Sequence, residues 1–347
     1  MSAVTVSQAA DYAEKNPDFI PCYPRPAFFS GVVVSIVAAA AFASWLPLQV
    51  SIVTVFLFAG PHNWFEFRYF LMRLPVRFGR SRIFFVAAFG GLGMLTVAYV
   101  LLPFIYNARL WSDEAWSTII AGWNTALLFW LGLLVWLRSK QKPRWNWTWT
   151  IPVGLALCSL NWLGPDFFSL ALVYIHPLIA LWFLDRQLRR TRPELLHTYR
   201  RCLCLLPFVL AGMIWQLSQT TALPDTNGLF WRITQHSGAQ ILPQVSSHLL
   251  VSVHLFLEML HYGVWIVALP LIGDLAGVRV WDLKTVPVAR HPRGFPRVIG
   301  GLLIAALAGV VVLWFGFSVD YSTTRDVYFT VAIAHVLAEA PFLLRML

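Results

Sequence analysis

The chain alternates between long apolar runs and short polar, mostly basic, stretches. Apolar runs of about 18 residues or more cross a bilayer as helices, because only an α-helix satisfies its own backbone in lipid. About ten such segments can be drawn by this length rule, at 27–47, 49–73, 83–106, 114–137, 149–164, 166–185, 199–217, 247–272, 297–318 and 326–346. The pattern predicts an all-α fold, a polytopic transmembrane helical bundle. Residues 27–347 form one transmembrane domain behind a polar, proline-bearing tail over residues 1–26. The fifth segment is short for a full crossing, and Gly164-Pro165-Asp166 turns the chain between it and the sixth.

Loop charge tests this layout independently. Arg73, Arg77, Arg80 and Arg82 follow the second segment, and Arg138, Lys140, Lys142 and Arg144 follow the fourth. Arg186, Arg189, Arg190, Arg192, Arg200 and Arg201 follow the sixth, and Arg279, Lys284, Arg290, Arg293 and Arg297 the eighth. The intervening loops carry only Arg109, Arg232 and Arg325. Such alternation is the positive-inside signature and predicts both termini in the cytoplasm of a multi-pass inner (plasma) membrane protein.

Composition agrees. Of 347 residues, 58% are hydrophobic and 12% charged, about half the charge share of a soluble domain. The net charge of +10 sits between apolar runs rather than on an aromatic-interleaved patch, so loop placement explains it and no nucleic-acid partner is expected. Cys22, Cys158, Cys202 and Cys204 contain no C-x-x-C pair and point to neither a disulfide frame nor a zinc site. No cleavable signal peptide is expected, and no glycine-rich phosphate loop occurs. The 218–246 loop, with its turn signal Pro224-Asp225-Thr226-Asn227-Gly228, reads as an interfacial helix or a lid over a cavity.

Against this background the ionisable groups inside apolar runs stand out, since placing them in hydrocarbon is costly. His62 and Glu66 lie in the second segment, His176 in the sixth, His254, Glu258 and His261 in the eighth, and His335 and Glu339 in the tenth. All four segments run in the same direction. At about 1.5 Å per residue, His62 lies roughly 20 Å in, His176 about 15 Å, His261 about 21 Å and His335 about 14 Å. The four imidazoles therefore share the middle of a core about 30 Å thick. His254, Glu258 and His261 fall at i, i+4 and i+7, one stripe of a helix. His335 and Glu339 repeat the spacing of His62 and Glu66, and Glu258-x-x-His261 has the spacing used by carboxylate-bridged di-iron bundles. Imidazole with carboxylate suits iron, zinc or manganese, and the lack of thiolate disfavours copper(I). His62, His254, His261 and His335 are the expected metal ligands, with Glu66, Glu258 and Glu339 as further ligands or as acceptors that fix a histidine tautomer.

Plainer readings accompany each residue. His176 reads as a helix-to-helix hydrogen-bond donor, with Pro177 kinking its segment. Glu66 can pair with Arg68 or Arg73, and Glu339 with Arg345. His248 reads as interfacial, and His197, His236 and His291 as solvated loop residues.

Gly60-Pro61-His62-Asn63-Trp64-Phe65-Glu66 resembles the G-x-P-H-x-x-x-D stretch of the Brp/Blh family of integral-membrane carotene-cleaving dioxygenases. The resemblance covers about seven residues. It implies that His62 matches the family's histidine, that Glu66 takes the place of its aspartate, and that intramembrane histidines hold an iron that splits a polyene with O2. The expected function is therefore an iron (Fe2+)-dependent oxygenase acting on a lipid-soluble substrate, such as a carotenoid or another isoprenoid, within the lipid bilayer. Two alternatives use the same residues: a proton- or metal-coupled transporter, and a pigment- or haem-binding subunit of a membrane complex.

Overall fold

The structure, a computed structural model, describes residues 25–75, 79–107, 112–143, 146–224, 228–272 and 296–346. The tail, the basic segment 273–295 with His291, and most of the 224–228 turn lie outside the described residues. Among those described there is no strand. The helices are α1 (Arg25–Trp45), α2 (Pro47–Arg73), α3 (Arg82–Asn107), α4 (Asp113–Gln141), α5 (Thr150–Leu163) and α6 (Pro165–Thr191). They continue as α7 (Pro193–Leu203), α8 (Leu206–Leu217), α9 (Gly228–His236), α10 (Ser247–Tyr262), α11 (Pro296–Val319) and α12 (Tyr321–Met346). A π-helical stretch, Gly263–Ala268, and a last turn, Leu269–Ile272, extend α10.

Among the described residues, eight helical stretches are long and apolar enough to cross a membrane, α7 and α8 counting as one and α10 with its extension as another. The two remaining expected spans differ for separate reasons. At 14 residues α5 reaches only about 21 Å, short of a core about 30 Å thick. The 27-residue α2 is long enough, but it carries Glu66, Arg68 and Arg73, and buries much of its length inside the bundle.

Local chemistry sets the boundaries. Proline occupies the first turn of α2, α6 and α7, where its missing N–H costs nothing. The Ser112 hydroxyl accepts from the Ala115 amide at the start of α4, and Ser246 from the His248 amide at the start of α10. The tenth segment begins at Tyr321 rather than 326, because the Asp320 carboxylate accepts the Thr323 amide and caps the helix there. That earlier start places Arg325 inside α12, where it is 4% exposed.

The basic residues gather at one end. Arg138 of α4 donates to the carbonyls of Leu344 and Arg345, both at 3.0 Å, and Arg345 donates to the carbonyl of Arg73 at 3.0 Å. Guanidiniums thus cap the C-terminal carbonyls of α12 and α2, which no helical N–H can reach. On the same end the guanidinium of Arg200 clasps Asp185 at 2.7 and 3.0 Å, tying α7 to α6. At the opposite end Arg232 pairs with Asp326.

Between these ends α2, α6, α10 and α12 pack around an aromatic core. Phe70 stacks on Phe342 at 4.4 Å, and Tyr69, Phe183 and Trp265 close around them. Gly60 allows α11 to approach α2, since a Cβ there would meet Val310 Cγ1 at 2.9 Å.

Candidate metal centre

One helical turn from that aromatic floor, the same four helices bring four imidazoles and two carboxylates together. The His62 ring lies 5.3 Å from His261 and 5.2 Å from His335, and His176 lies 4.7 Å from His261 and 5.0 Å from His335. Two overlapping sets of donor atoms result, His62 with Glu66, His261 and His335, and His176 with His261 and Glu339; within each set all atoms lie within 4.8 Å. His62 and Glu66 are 1% exposed, His261 2% and Glu339 0%.

Each of these helices departs from regularity beside its site residue. Pro61 precedes His62, Pro177 follows His176, the π-helical stretch begins two residues after His261, and Pro341 follows Glu339 by two. Proline removes an N–H and pushes away the carbonyl one turn back, and a π turn re-aims the residues around it. The Phe58 carbonyl, one turn before His62, accepts the His62 Nδ1–H at 3.0 Å.

That bond fixes the tautomer. A carbonyl only accepts, so Nδ1 of His62 carries the proton and Nε2 presents a lone pair, which has no hydrogen-bond partner. Glu339 does the same for His176, accepting from Nδ1 at 3.1 Å and leaving Nε2 as a lone pair. This Nε2 faces Nε2 of His335 at 3.2 Å. Two imidazole nitrogens bound to one ion at about 2.1 Å stand roughly 3.0–3.4 Å apart in octahedral or tetrahedral geometry. Both Nδ1 and Nε2 of His261, Nδ1 of His335, both oxygens of Glu66 and Oε1 of Glu339 are also buried without hydrogen-bond partners. An ionised carboxylate buried without counter-charge costs several kcal/mol. Two of them beside four neutral imidazoles balance the charge of one divalent cation. The donor set therefore fits a metal, and hard-to-borderline oxygen and nitrogen donors fit iron, zinc or manganese. No cysteine belongs to either set.

The expected ligands are thus partly rearranged. His62, His261 and His335 converge as their depths predict, and Glu66 and Glu339 with them. His254 and Glu258 do not belong to either set: they share the His261 stripe but lie two turns and one turn away, about 10 Å and 5 Å along α10. His176 takes the place expected of His254, combining a hydrogen bond between helices with a position in the donor set. The expected Glu339–Arg345 pairing gives way to Glu339–His176.

His254 and Glu258 belong to a second polar group. His254 Nδ1 lies 3.9 Å from Glu258 Oε2, the Tyr262 hydroxyl donates to Glu258 Oε1 at 3.4 Å, and the Tyr262 ring lies 4.4 Å from that of His62. His236, expected to be a solvated loop residue, packs 5.1 Å from His254 and 4.3 Å from Phe329. Burial, then the Arg325 guanidinium, then His254 hold the His236 imidazole well below its ordinary pKa. Its only signal in the sequence is its place at the end of a short amphipathic stretch. The loop read as an interfacial helix or a lid folds in part as a short helix, α9, followed by tight turns at Gly238, whose φ of +93° favours glycine. His248 donates Nε2–H to the Ser44 carbonyl at 2.9 Å near the end of α1.

A cavity of about 670 Å³ joins the two polar groups. Its lining runs along α4 from Trp116 to Val135, about 28 Å, and along α12 from Tyr328 to Leu344, about 24 Å. Leu, Ile, Val and Trp make most of the wall, and His62, His176, His261 and His335 face it near the middle.

No family model matches this chain, and neither a curated protein nor a solved structure matches it.

Proposed function

We propose that this chain is an iron-dependent oxygenase of the inner membrane, acting on a long lipid-soluble molecule such as a carotenoid or another isoprenoid. The observation that carries the reading is the set of seven buried, unpartnered donor atoms of His62, Glu66, His261, His335 and Glu339 beside a long apolar cavity. A membrane protein that leaves so many polar atoms unsatisfied is costly unless something binds them. The resemblance of Gly60–Glu66 to the Brp/Blh stretch supports the choice of oxygenase, and the loop charges support termini on the cytoplasmic side.

In this reading His62, His176, His261 and His335 hold the iron, with Glu66 and Glu339 as ligands or tautomer-fixing acceptors. Iron(II) bound there supplies the binding and activation of O2. The chain's own residues do the rest. Glu339 and the Phe58 carbonyl hold two imidazoles in the lone-pair-presenting form. The apolar walls of α4, α6 and α12 align the substrate along the bundle and exclude water. The aromatic floor of Phe70, Phe342 and Trp265 keeps the four helices at fixed separation.

A carrier reading draws on one observation, the continuation of polar groups from the histidine cluster through Glu258 and His254 to His236. On the inner side the Tyr69 hydroxyl and the Arg73 guanidinium both donate to Gln187 Oε1, so polar groups continue there as well and the choice between the two readings rests on the metal. Elemental analysis of detergent-purified protein decides. We expect about one iron per chain, absent from His62→Ala and His335→Ala, with substrate-dependent O2 uptake. Protein that neither carries nor takes up metal, yet couples proton movement to uptake in vesicles, would overturn the enzyme in favour of the carrier.

A further inference from the structure

The cavity is uneven in character. Most of its wall is apolar, and besides the histidine cluster its polar lining consists of Asn124, Asp166 and Ser169 on α4 and α6, the tyrosine hydroxyls, and Gln235, His236, His254 and Glu258 beneath α9. Gln235 Oε1 is buried with no hydrogen-bond partner. Glu258 Oε2 stands 3.9 Å from His254 Nδ1, beyond hydrogen-bond reach. Beneath α9, acceptors and imidazoles, which can each donate or accept, therefore converge in a slot whose wall is mostly apolar. A purely hydrocarbon occupant would bury these groups against carbon and satisfy none of them.

We propose that the occupant carries a hydroxyl at one end, and that Gln235, His236, His254 and Glu258 receive it beneath α9. A hydroxyl both donates and accepts, so it can give its proton to Gln235 Oε1 or Glu258 Oε2 while taking one from an imidazole. The histidine cluster lies further along the bundle, about 5 Å from Glu258 and about 10 Å from His254 along α10. The hydroxyl thus sets the register: the carbon presented to the histidines is one about 5–10 Å from the anchored end. This inference rests on the lipid-substrate reading above and deepens it, by making the substrate a polar-ended rod rather than a plain hydrocarbon.

The test compares β-carotene with β-cryptoxanthin, which share one carbon skeleton and differ by a single ring hydroxyl. Trp116, Trp123 and Trp130 line the cavity, so quenching of their emission reports occupancy without turnover. Binding is measured under argon to purified wild-type protein and to Gln235→Leu and His236→Phe. We expect wild type to bind β-cryptoxanthin about tenfold or more tightly than β-carotene, the scale of one buried hydrogen bond. Both variants should lose that preference while keeping affinity for β-carotene, which also shows that they fold. Equal or tighter binding of β-carotene by wild type overturns this inference and leaves the oxygenase reading standing. A preference that survives both substitutions overturns the assignment of these residues. If neither compound quenches, the lipid-substrate reading falls, and this inference with it.

Discussion

At the residue scale the decisive question is which imidazole belongs to the metal set. His254 and His176 are both intramembrane histidines, and the sequence pattern favours His254 because it shares a helix face with His261. A shared face is not a shared depth: seven residues along α10 is about 10 Å, several times a metal–nitrogen bond. Metal content should therefore vanish in His176→Ala and persist in His254→Ala, measured by mass spectrometry of the purified proteins. The reverse result would return the centre to the sequence-based ligand set. Glu339 gives a graded test. Its carboxylate orients His176 and contributes charge, so Glu339→Gln, which keeps an acceptor but removes the charge, should weaken metal binding roughly 10–100-fold in a competitive chelator titration. An unchanged affinity would mean that Glu339 is only a helix-to-helix bond.

At the element scale two features hold the helices around the centre, and each can be perturbed alone. Arg138 joins α4 to the end of α12 through two charge-assisted bonds to carbonyls that α12 cannot satisfy itself. Arg138→Ala should destabilise the bundle by roughly 2–4 kcal/mol, read as an earlier midpoint in sodium dodecyl sulfate unfolding; Arg200→Ala, removing a half-exposed pair with Asp185, should cost far less. The docking of α9 should depend on pH. Burial, Arg325 and His254 hold the docked His236 well below the ordinary value of 6.5, so the undocked form takes up the proton first. Docking is at full strength above about 6.5 and weakens as pH falls below it. Amide exchange across 229–236, corrected for its intrinsic pH dependence, should accelerate at pH 5.5 relative to 7.5, and equal protection at both would remove His236 as the cause. These elements also show what was legible. Helices α1, α3, α4, α6 and α11 follow from apolar length alone, and the depth of the four histidines from counting along it. The start of α12 was hidden because Asp320, Arg325 and Asp326 look like a loop, when Asp320 is a cap and Arg325 is buried. The place of His236 was hidden because it depends on α9 folding back over α10, a contact between segments that no periodicity encodes.

At the scale of the whole molecule the donor set ties together α2, α6, α10 and α12, helices far apart in sequence that also meet through aromatic packing, carbonyl caps and side-chain hydrogen bonds such as Tyr69 to Gln187 and Tyr174 to the Leu250 carbonyl. In lipid no hydrophobic force pulls helices together, so packing and polar contacts between them carry the association. An ion held by side chains from all four acts as a crosslink on the assembled state alone, because the separated helices present the donors one or two at a time. Binding to the folded form only adds RT ln(1 + [L]/Kd), about 4 kcal/mol when free metal exceeds Kd by about a thousandfold. Exhaustive chelation should therefore lower the unfolding midpoint of the entire bundle in one cooperative step, and restoring iron(II) should recover it. His62→Ala should start at the lower midpoint and show no further response to chelator. If chelation leaves the wild-type midpoint unmoved, or if the alanine variant responds as wild type does, then the stabilising ion does not sit among these histidines, and the balance of charge around Glu66 and Glu339 must be met by protons instead.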